Sequence, residues 1–207
     1  MSERFDTLFA GMSEETAMET LLKPPAELKN PGLKYLAATR LGACQSPESL
    51  QRLLAAGAND SDDLYERITR RKALEALGRR KDRSALPVLL AALQADDEPT
   101  VVNAADAIAR LGTPLNKEEQ TALLQALQGP DNQRRAVLQA FCRLGMNDAS
   151  GQIDRCRNDS NPLVAGAAHA YAVRVLGDQQ GLHPLVEQLR DDNPGRRRAA
   201  VIDLGDA

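Results

Sequence analysis

A Leu-Gly pair closes six segments of this chain at nearly regular intervals, and this repeat constrains the fold more than any other feature. The glycines are separated by 36, 34, 33, 32 and 28 residues. They are Gly42, Gly78, Gly112, Gly145, Gly177 and Gly205. An alanine stands four residues before the leucine of every pair: Ala37, Ala73, Ala107, Ala140, Ala172 and Ala200. Residues four apart share one face of a helix, so each segment is predicted to be a helix whose small residue permits close packing.

Prolines and leucines divide each repeat in two. Prolines flanked by acidic or asparagine residues, which cap helix N-termini, precede most Leu-Gly helices: Pro31, Pro99, Pro130, Pro162 and Pro194. The gap from Pro31 to Pro99 is two periods long, so one further helix is predicted to start near Asp62 and Asp63. Leucines at helical spacing after each glycine predict a second helix per repeat. Each glycine is predicted to end its helix because it adopts the left-handed conformation at low cost.

Two helices in each repeat of about 32 to 36 residues predict an all-α protein, a right-handed α-solenoid of about five to six HEAT-like repeats. Hydrophobic residues make up 43% of the chain but aromatic residues only 3%, and the Ala and Leu content favours helices over sheets. We expect residues 1–207 to form a single solenoid, with an N-terminal cap at residues 1–30 and repeats over residues 31–207. The cap is predicted to contain one helix, from about Ser13 to Leu22, that Pro24 and Pro25 end. The last repeat is predicted to be incomplete, which leaves either a self-capping helix or a docking face for another protein.

The charge balance and the cysteine pattern exclude several classes of protein. With 26 basic and 29 acidic residues the formal net charge is −3, which provides no overall field for nucleic acid or an anionic membrane. No apolar run approaches the roughly 20 residues that cross a bilayer, and the N-terminus lacks a signal-peptide pattern. We therefore expect a cytoplasmic protein with no membrane insertion and no nucleic-acid partner. Three cysteines without a CxxC motif argue against a disulfide framework or a zinc site.

Familiar catalytic motifs are missing from the sequence. The two histidines, His169 and His183, are followed by Ala170 and Pro184, so neither forms the His-Glu pair of metal-binding HEAT hydroxylases. There is no glycine-rich phosphate loop and no GxSxG motif. His169 falls on the packed side of its helix, where a core role is the better interpretation. The sequence predicts no metal site and no resident cofactor.

Candidate ligand-binding residues follow from the rotation of each Leu-Gly helix. If the leucine and the alanine face the core, the positions two, five, six and nine residues before the leucine turn outward into a groove. They include Tyr35, Arg71, Lys72, Glu75, Asp106, Arg135, Cys142, Tyr171 and Arg174. This mixture suits an anionic ligand with an apolar body. The alternative is an ordinary charged surface with ion pairs such as Arg71 with Glu75, and a space-filling rather than nucleophilic Cys142.

The densest basic stretch is a candidate site for an acidic ligand or an acidic partner protein. Its main members are Arg67, Arg70, Arg79 and Arg80. Arginine binds carboxylates and phosphates through two parallel hydrogen bonds, which suits such a clamp. Binding to a nucleic-acid backbone is disfavoured by the acidic total and by the absence of interleaved aromatic residues.

Four stretches resemble a known family: Lys34–Cys44, Arg67–Arg80, Ala85–Leu93 and Asn161–Tyr171. They are similar to the E/F family of phycobilin lyases of cyanobacteria, which are built from HEAT-like repeats, and within it to the short Z-type subunits that assist chromophore attachment to phycoerythrin. The resemblance extends from about Lys34 to Gly177. Its Leu-Gly and Ala-Leu-Pro elements are generic to such repeats, and the stretch from Arg67 to Arg80 is the more specific part.

The resemblance implies a role in forming a thioether between a bilin, here phycoerythrobilin, and a cysteine of a phycobiliprotein, here phycoerythrin. The chain would act as a lyase or as its non-catalytic chaperone subunit, paired with a second HEAT-repeat lyase subunit. The nucleophile would belong to the acceptor protein. Groove position alone then suggests a hypothesis for the roles of the candidate residues. Arg and Lys would hold the bilin propionates, Glu75 or Asp106 would serve the pyrrole nitrogens, and Tyr35 or Tyr171 would pack on the ring faces. An unrelated HEAT adaptor that binds another protein is the alternative.

Overall fold

Helices account for all the regular secondary structure in the described part of the chain. The structure is a computed structural model that describes residues 11–112, 114–147 and 150–207. Twelve α-helices lie in these ranges, and the predicted all-α class is confirmed. They are α1 (Glu14–Leu22), α2 (Leu33–Leu41), α3 (Pro47–Ala58), α4 (Leu64–Arg80), α5 (Leu86–Ala92), α6 (Glu98–Leu111), α7 (Lys117–Ala126), α8 (Asp131–Leu144), α9 (Ser150–Arg155), α10 (Pro162–Leu176), α11 (Leu182–Gln188) and α12 (Pro194–Asp206). Among the described helices, none is both long enough and apolar enough to cross a membrane.

The helices form two compact units, unit 1 (Met1–Leu111) and unit 2 (Gly112–Ala207). In unit 1 the helices pack as the pairs α1–α2, α3–α4 and α5–α6, and α4 packs against both α2 and α6. In unit 2 the pairs are α7–α8, α9–α10 and α11–α12, and α10 packs against both α8 and α12. Each unit is therefore a row of helical pairs whose second helices contact one another, as the repeat predicts.

The alanine stripe predicted from the repeat is confirmed. All six alanines that precede the leucines by four residues are at most 1% exposed. The leucines follow the prediction less uniformly: Leu41 and Leu77 are fully buried, whereas Leu176 is 40% exposed. The second helix of every pair thus carries a buried small residue at this position.

The glycines of the Leu-Gly pairs have two structural roles, one in turns and one in helix packing. Gly112, Gly145 and Gly177 adopt the predicted left-handed conformation, with φ of 58°, 66° and 73°. Gly78 instead lies inside α4, which continues to Arg80 and ends at Lys81. A Cβ atom on Gly78 would lie 2.6 Å from the Cα atom of Ala107 on α6. At this position the glycine is therefore required by helix packing rather than by a turn.

Side-chain caps place the helix starts where the sequence predicts them. The predicted extra helix is α4, and the carboxylate of Asp63 accepts hydrogen bonds from the backbone of Tyr65 and Glu66. The hydroxyl of Ser13 caps α1 by accepting from Thr16. The structure confirms the helix predicted between about Ser13 and Leu22; residues 1–10 of the predicted cap lie outside the described residues.

A buried lysine that the repeat does not predict joins three helices of unit 1. The ammonium group of Lys34 on α2 is 2.7 Å from the Glu66 carboxylate on α4. It also donates to the carbonyl oxygens of Leu21 and Lys23, at 2.9 and 2.8 Å. These carbonyls lie at the C-terminus of α1, where a positive charge stabilises the helix dipole. Lys34 thus holds the end of α1 against α2 and α4.

Candidate functional site

A charged surface on α4 carries most of the predicted site residues of unit 1. We call it the α4 face and define it as Arg67, Arg71, Lys72, Glu75 and Arg79 of α4 together with Tyr35 of α2. Glu75 bridges two cations, at 2.6 Å from Lys72 and 3.2 Å from Arg79. The Lys72 ammonium also lies 5.0 Å from the centre of the Tyr35 ring, which is a cation–π distance. Tyr35 is 41% exposed, so its predicted outward position is confirmed.

Two arginines of the α4 face, Arg67 and Arg71, pair with an acid that precedes α6. The Arg71 guanidinium is 3.0 Å from the Asp97 carboxylate, and that of Arg67 is 3.8 Å away. Burial favours a neutral Asp97, but hydrogen bonds from Thr100 and the charge of Arg71 outweigh it and hold the pKa of Asp97 below its usual range. Arg71 therefore pairs with Asp97 and not with Glu75, the partner expected from helical spacing.

Asp106, the second predicted acid, lies on α6. Its carboxylate is 3.2 Å from the Arg110 guanidinium one turn later on the same helix. Both predicted acids thus neutralise cations in the structure, and Asp106 is about one-third exposed.

Arg70 and Arg80 do not lie with Arg67 and Arg79. Arg70 donates to the carbonyl oxygen of Gly57 at 3.2 Å and pairs with Asp60 at 3.0 Å. Arg80 donates to the Ser49 hydroxyl at 2.7 Å and to the Ser46 carbonyl at 3.0 Å. Both side chains hold α4 against α3 and its flanking turns. The expected basic clamp is therefore divided between the two sides of one helix, and only Arg67 and Arg79 remain on the α4 face.

Two of the predicted groove residues of unit 2, Tyr171 and Cys142, lie in the interior, which corrects their placement. Tyr171 is fully buried, and its hydroxyl donates to the Met146 carbonyl at 2.7 Å. Cys142 is 1% exposed, and its thiol contacts the Asp206 carbonyl oxygen at 3.3 Å. Burial raises the pKa of the Cys142 thiol to about 12. Neither side chain is placed to contact a ligand at the surface.

Two acids of the last helix make contacts across unit 2. Asp203 is fully buried at 3.1 Å from Arg135 and 3.0 Å from Gln139 on α8. Arg174 on α10 donates to the Asp206 carbonyl at 3.2 Å. Arg135 and Arg174, both expected in the groove, are thus engaged by α12.

Burial raises the pKa of the Asp203 carboxyl, against the opposing attraction of Arg135. Asp203 is a structural residue that the repeat does not single out. The available signal is its position three residues after the buried Ala200, which places a carboxylate on the alanine stripe.

Alkylation of the cysteines tests the buried position of Cys142. At pH 8, a thiol pKa of about 12 leaves roughly one Cys142 thiol in 10,000 ionised. We expect N-ethylmaleimide to modify the half-buried Cys156 at least about tenfold faster than Cys142 in the native protein, and all cysteines at similar rates in urea. Peptide mass spectrometry over a time course measures both rates. Rapid native labelling of Cys142 would show an open face at α8 and restore its expected role.

Histidine and metal chemistry receive no support from the described residues. His169 is half-buried, and burial together with Arg157 lowers its pKa. Its Nδ1 atom has no hydrogen-bond partner among the residues that the structure describes, so the expected satisfied core histidine is only partly satisfied. Within the described ranges, no cluster of three or more His, Cys, Asp or Glu side chains has the geometry to hold a metal ion.

Comparisons with known proteins match this chain to a repeat family and to relatives whose names refer to bilins or phycocyanin. A family model of HEAT repeats matches residues 65–142. The chain is 28% identical, over its full length, to the uncharacterized phycocyanin operon protein Y of Pseudanabaena tenuis, of which it covers 49%. It is 33% identical to the bilin biosynthesis protein PecE of Nostoc sp. PCC 7120, over 66% of this chain and 53% of PecE. The chain thus spans about half the length of these curated relatives.

Two further similarities cover most of both proteins. One solved structure, the complex of CpcE and CpcF of phycocyanin lyase from Nostoc sp. PCC7120, contains a chain that is 26% identical, with a TM-score of 0.69 over 93% of this chain and 76% of that one. The similarity confirms the predicted HEAT-like solenoid class. The bilin biosynthesis protein RpcE of Synechococcus sp. WH8020 is 30% identical over 83% of this chain and 72% of RpcE. The chain therefore belongs to the E-type family of phycobilin lyases.

Proposed function

We propose that this chain assists the covalent attachment of a bilin to a phycobiliprotein, as a lyase subunit or as its chaperone. The observation that carries the proposal is the similarity to a chain of the phycocyanin lyase complex along 93% of the sequence. The thiol of the acceptor cysteine adds across a carbon–carbon double bond of the bilin, so the thioether C–S bond replaces the π bond and the thiol proton passes to the bilin. A nucleophile supplied by the acceptor protein agrees with a chain whose Cys142 is buried and whose sequence contains no catalytic triad motif. We take phycoerythrin as the acceptor and phycoerythrobilin as the bilin, on the resemblance to the Z-type subunits.

The α4 face is proposed as the surface that meets the phycobiliprotein. Its cations and acids are interleaved, and Arg67 and Tyr35 are each about 40% exposed. Such a mixture of exposed tyrosine and charge is typical of the rim and anchors of a protein interface, where complementary charge sets orientation. In this proposal Glu75 positions Lys72 and Arg79 for the partner.

A second HEAT-repeat lyase subunit is proposed as a further partner. The similar solved structure is a complex of two proteins, CpcE and CpcF. On this chain the helix α12 exposes the apolar side chains of Val201 and Ile202, which are 62% and 43% exposed. Exposed aliphatic side chains on one helix favour contact with another protein.

Co-expression decides between the proposed roles. The chain is produced with phycoerythrin subunits and a phycoerythrobilin source, with and without a second lyase subunit, and covalent bilin is read as fluorescence on a denaturing gel. Fluorescence with this chain alone identifies a lyase, and fluorescence only with the second subunit identifies a helper. No gain in either setting excludes both roles and leaves the HEAT adaptor.

The acid role expected of Glu75 and Asp106 is tested in the same assay. A general acid contributes about 10²- to 10⁴-fold to rate. If Glu75 only positions its neighbours, we expect Glu75→Gln to lower the initial rate of bilin attachment by less than about tenfold, and Asp106→Asn to have a smaller effect. Exposed Glu48 of α3 supplies the matched control, Glu48→Gln. A loss of about 100-fold in either site variant, with unchanged thermal stability, would restore the acid role.

A further inference from the structure

A cavity of about 710 Å³ opens at one edge of unit 1, away from the α4 face. It lies between the end of α1, the turn at Pro25–Glu27, the last turns of α3 and the start of α4. Cavities that hold small molecules measure about 300 to 1,000 Å³. Several of its lining residues are exposed, among them Leu22, which is 59% exposed. The cavity is therefore accessible and large enough for a small organic molecule.

Two sets of apolar residues line the cavity, one of large side chains and one of alanines. Leu21, Leu22, Pro24 and Pro25 form one wall. Three alanines near the end of α3 also line the cavity: Ala55, Ala56 and Ala58. Their methyl groups leave a smooth surface on which a flat ring system can lie, and the leucines and prolines add further apolar area. The lining therefore suits an apolar, planar body.

The buried polar groups of the cavity are already satisfied by one another. The Glu66 carboxylate receives the Lys34 ammonium at 2.7 Å and the Asn59 amide at 3.0 Å. Lys34 has two further acceptors in the carbonyls at the end of α1. This part of the wall is neutral and held in place, so it contributes shape rather than free charge.

One cation on the wall has no partner among the described residues. Arg52 of α3 is exposed, and no hydrogen bond or ion pair joins its guanidinium to the described part of the chain. Arginine binds a carboxylate through two parallel charge-assisted hydrogen bonds. By contrast, the cations of the α4 face are paired with Glu75 or Asp97, and a ligand carboxylate there has to displace an existing acid.

A carboxylate lines the same cavity. One oxygen of Asp63 caps α4, and the group is exposed at the cavity wall. It can accept hydrogen bonds from N–H groups of a ligand. The cavity therefore combines an apolar slot, a cation for an anionic group and an acceptor for N–H donors.

We propose that this cavity, and not the α4 face, is the bilin-binding site of the chain. The inference rests on the proposed function, and it names the contacts. Arg52 binds a propionate carboxylate, the three alanines and the Leu22–Pro25 wall contact pyrrole rings, and Asp63 accepts from pyrrole N–H groups. The α4 face is then left free for the phycobiliprotein, so bilin and acceptor bind to different sides of unit 1.

Titration of the purified full chain with phycoerythrobilin, and with biliverdin as a second probe, tests the assignment. Absorbance and fluorescence changes give the dissociation constants. We expect Arg52→Glu and Ala55→Trp each to weaken binding at least about tenfold, because the first removes a charge-assisted contact and the second fills the slot. The matched controls are Arg71→Glu on the α4 face and Ala91→Trp at an exposed position of α5. Each should change the dissociation constant by less than about twofold. Circular dichroism melting curves establish that every variant folds.

The outcomes separate this inference from the proposed function. If Arg71→Glu weakens bilin binding while the cavity variants bind normally, or if all variants lose binding equally, the cavity assignment is wrong and the proposed function stands. If the wild-type chain supports chromophore attachment but binds neither bilin at micromolar concentration, the cavity assignment is wrong and the chain is a chaperone without a bilin-binding site. If attachment in co-expression does not depend on the chain at all, the proposed function itself is wrong.

Discussion

Replacing Lys34 by methionine is expected to lower the free energy of unfolding of unit 1 by about 3–5 kcal/mol. The lysine side chain is 4% exposed and that of its partner Glu66 is 13% exposed, so the substitution leaves a carboxylate in a largely buried position without its cation. It also removes the donor for the Leu21 and Lys23 carbonyls. Urea denaturation followed by circular dichroism measures the loss. Hydrogen exchange of α1 and α4 locates it, because both helices lose an anchor.

Two further variants show where this energy resides. Lys29→Met removes an exposed lysine from the same unit and should change stability by less than about 0.5 kcal/mol. The double variant Lys34→Met/Glu66→Leu removes the unpaired carboxylate as well, and it should recover part of the loss since apolar replacement of a whole buried pair is often neutral. A Lys34→Met effect no larger than that of Lys29→Met would mean that Glu66 and the α1 carbonyls reach water.

Replacing Gly78 by alanine is expected to destabilise unit 1 by about 1–3 kcal/mol, although alanine is the better helix former. The new methyl group would lie 2.6 Å from the Cα atom and 2.8 Å from the Cβ atom of Ala107. The first of these is backbone and cannot rotate away, so α4 and α6 must move apart. The same denaturation experiment measures the change.

Gly205 provides the matched control for Gly78. It lies within α12, and a Cβ atom built on it meets no other heavy atom within 4 Å. Gly205→Ala should therefore be neutral or stabilising by up to about 1 kcal/mol. If Gly78→Ala is as well tolerated as Gly205→Ala, the close approach of α4 and α6 does not limit stability.

The helix positions that face the core could be predicted from the sequence, because they depend on periodicity within single helices. Ala73 and Ala107 lie where their spacing from the leucine places them, and Asp63 caps α4 at the point where a proline is missing. Each of these features is local. A helix carries its own buried stripe and its own cap, so residues three or four apart report them directly.

The exposed surface could be predicted for unit 1 but only in part for unit 2, where Arg174 is exposed as expected while Tyr171 and Cys142 are buried. The rotation argument treats every Leu-Gly helix as having one free face, and Tyr35 agrees with it. It fails for Cys142 on α8 and for Tyr171 on α10. Asp203 and Asp206 of α12 contact these two helices across 32 to 68 positions of the chain. Nothing in the spacing around Cys142 reports such a contact, and nothing around Tyr171 reports its hydrogen bond to Met146. The division of Arg67 from Arg70 has the same cause, since only the position of α3 makes one side of α4 internal.

The sequence by itself determined that this protein is a repeat of paired helices with an alanine core, and it pointed to the phycobilin lyase family. Those properties follow from local spacing and from matching residues. Only the tertiary structure decided which charges are available to a ligand. Three features depend on helices brought together from separate repeats: the burial of Lys34, the ion pair of Arg135 with Asp203, and an Arg52 beside a cavity with no partner among the described residues. A charge becomes structural or functional according to whether such a neighbour neutralises it, and helical periodicity does not carry that information.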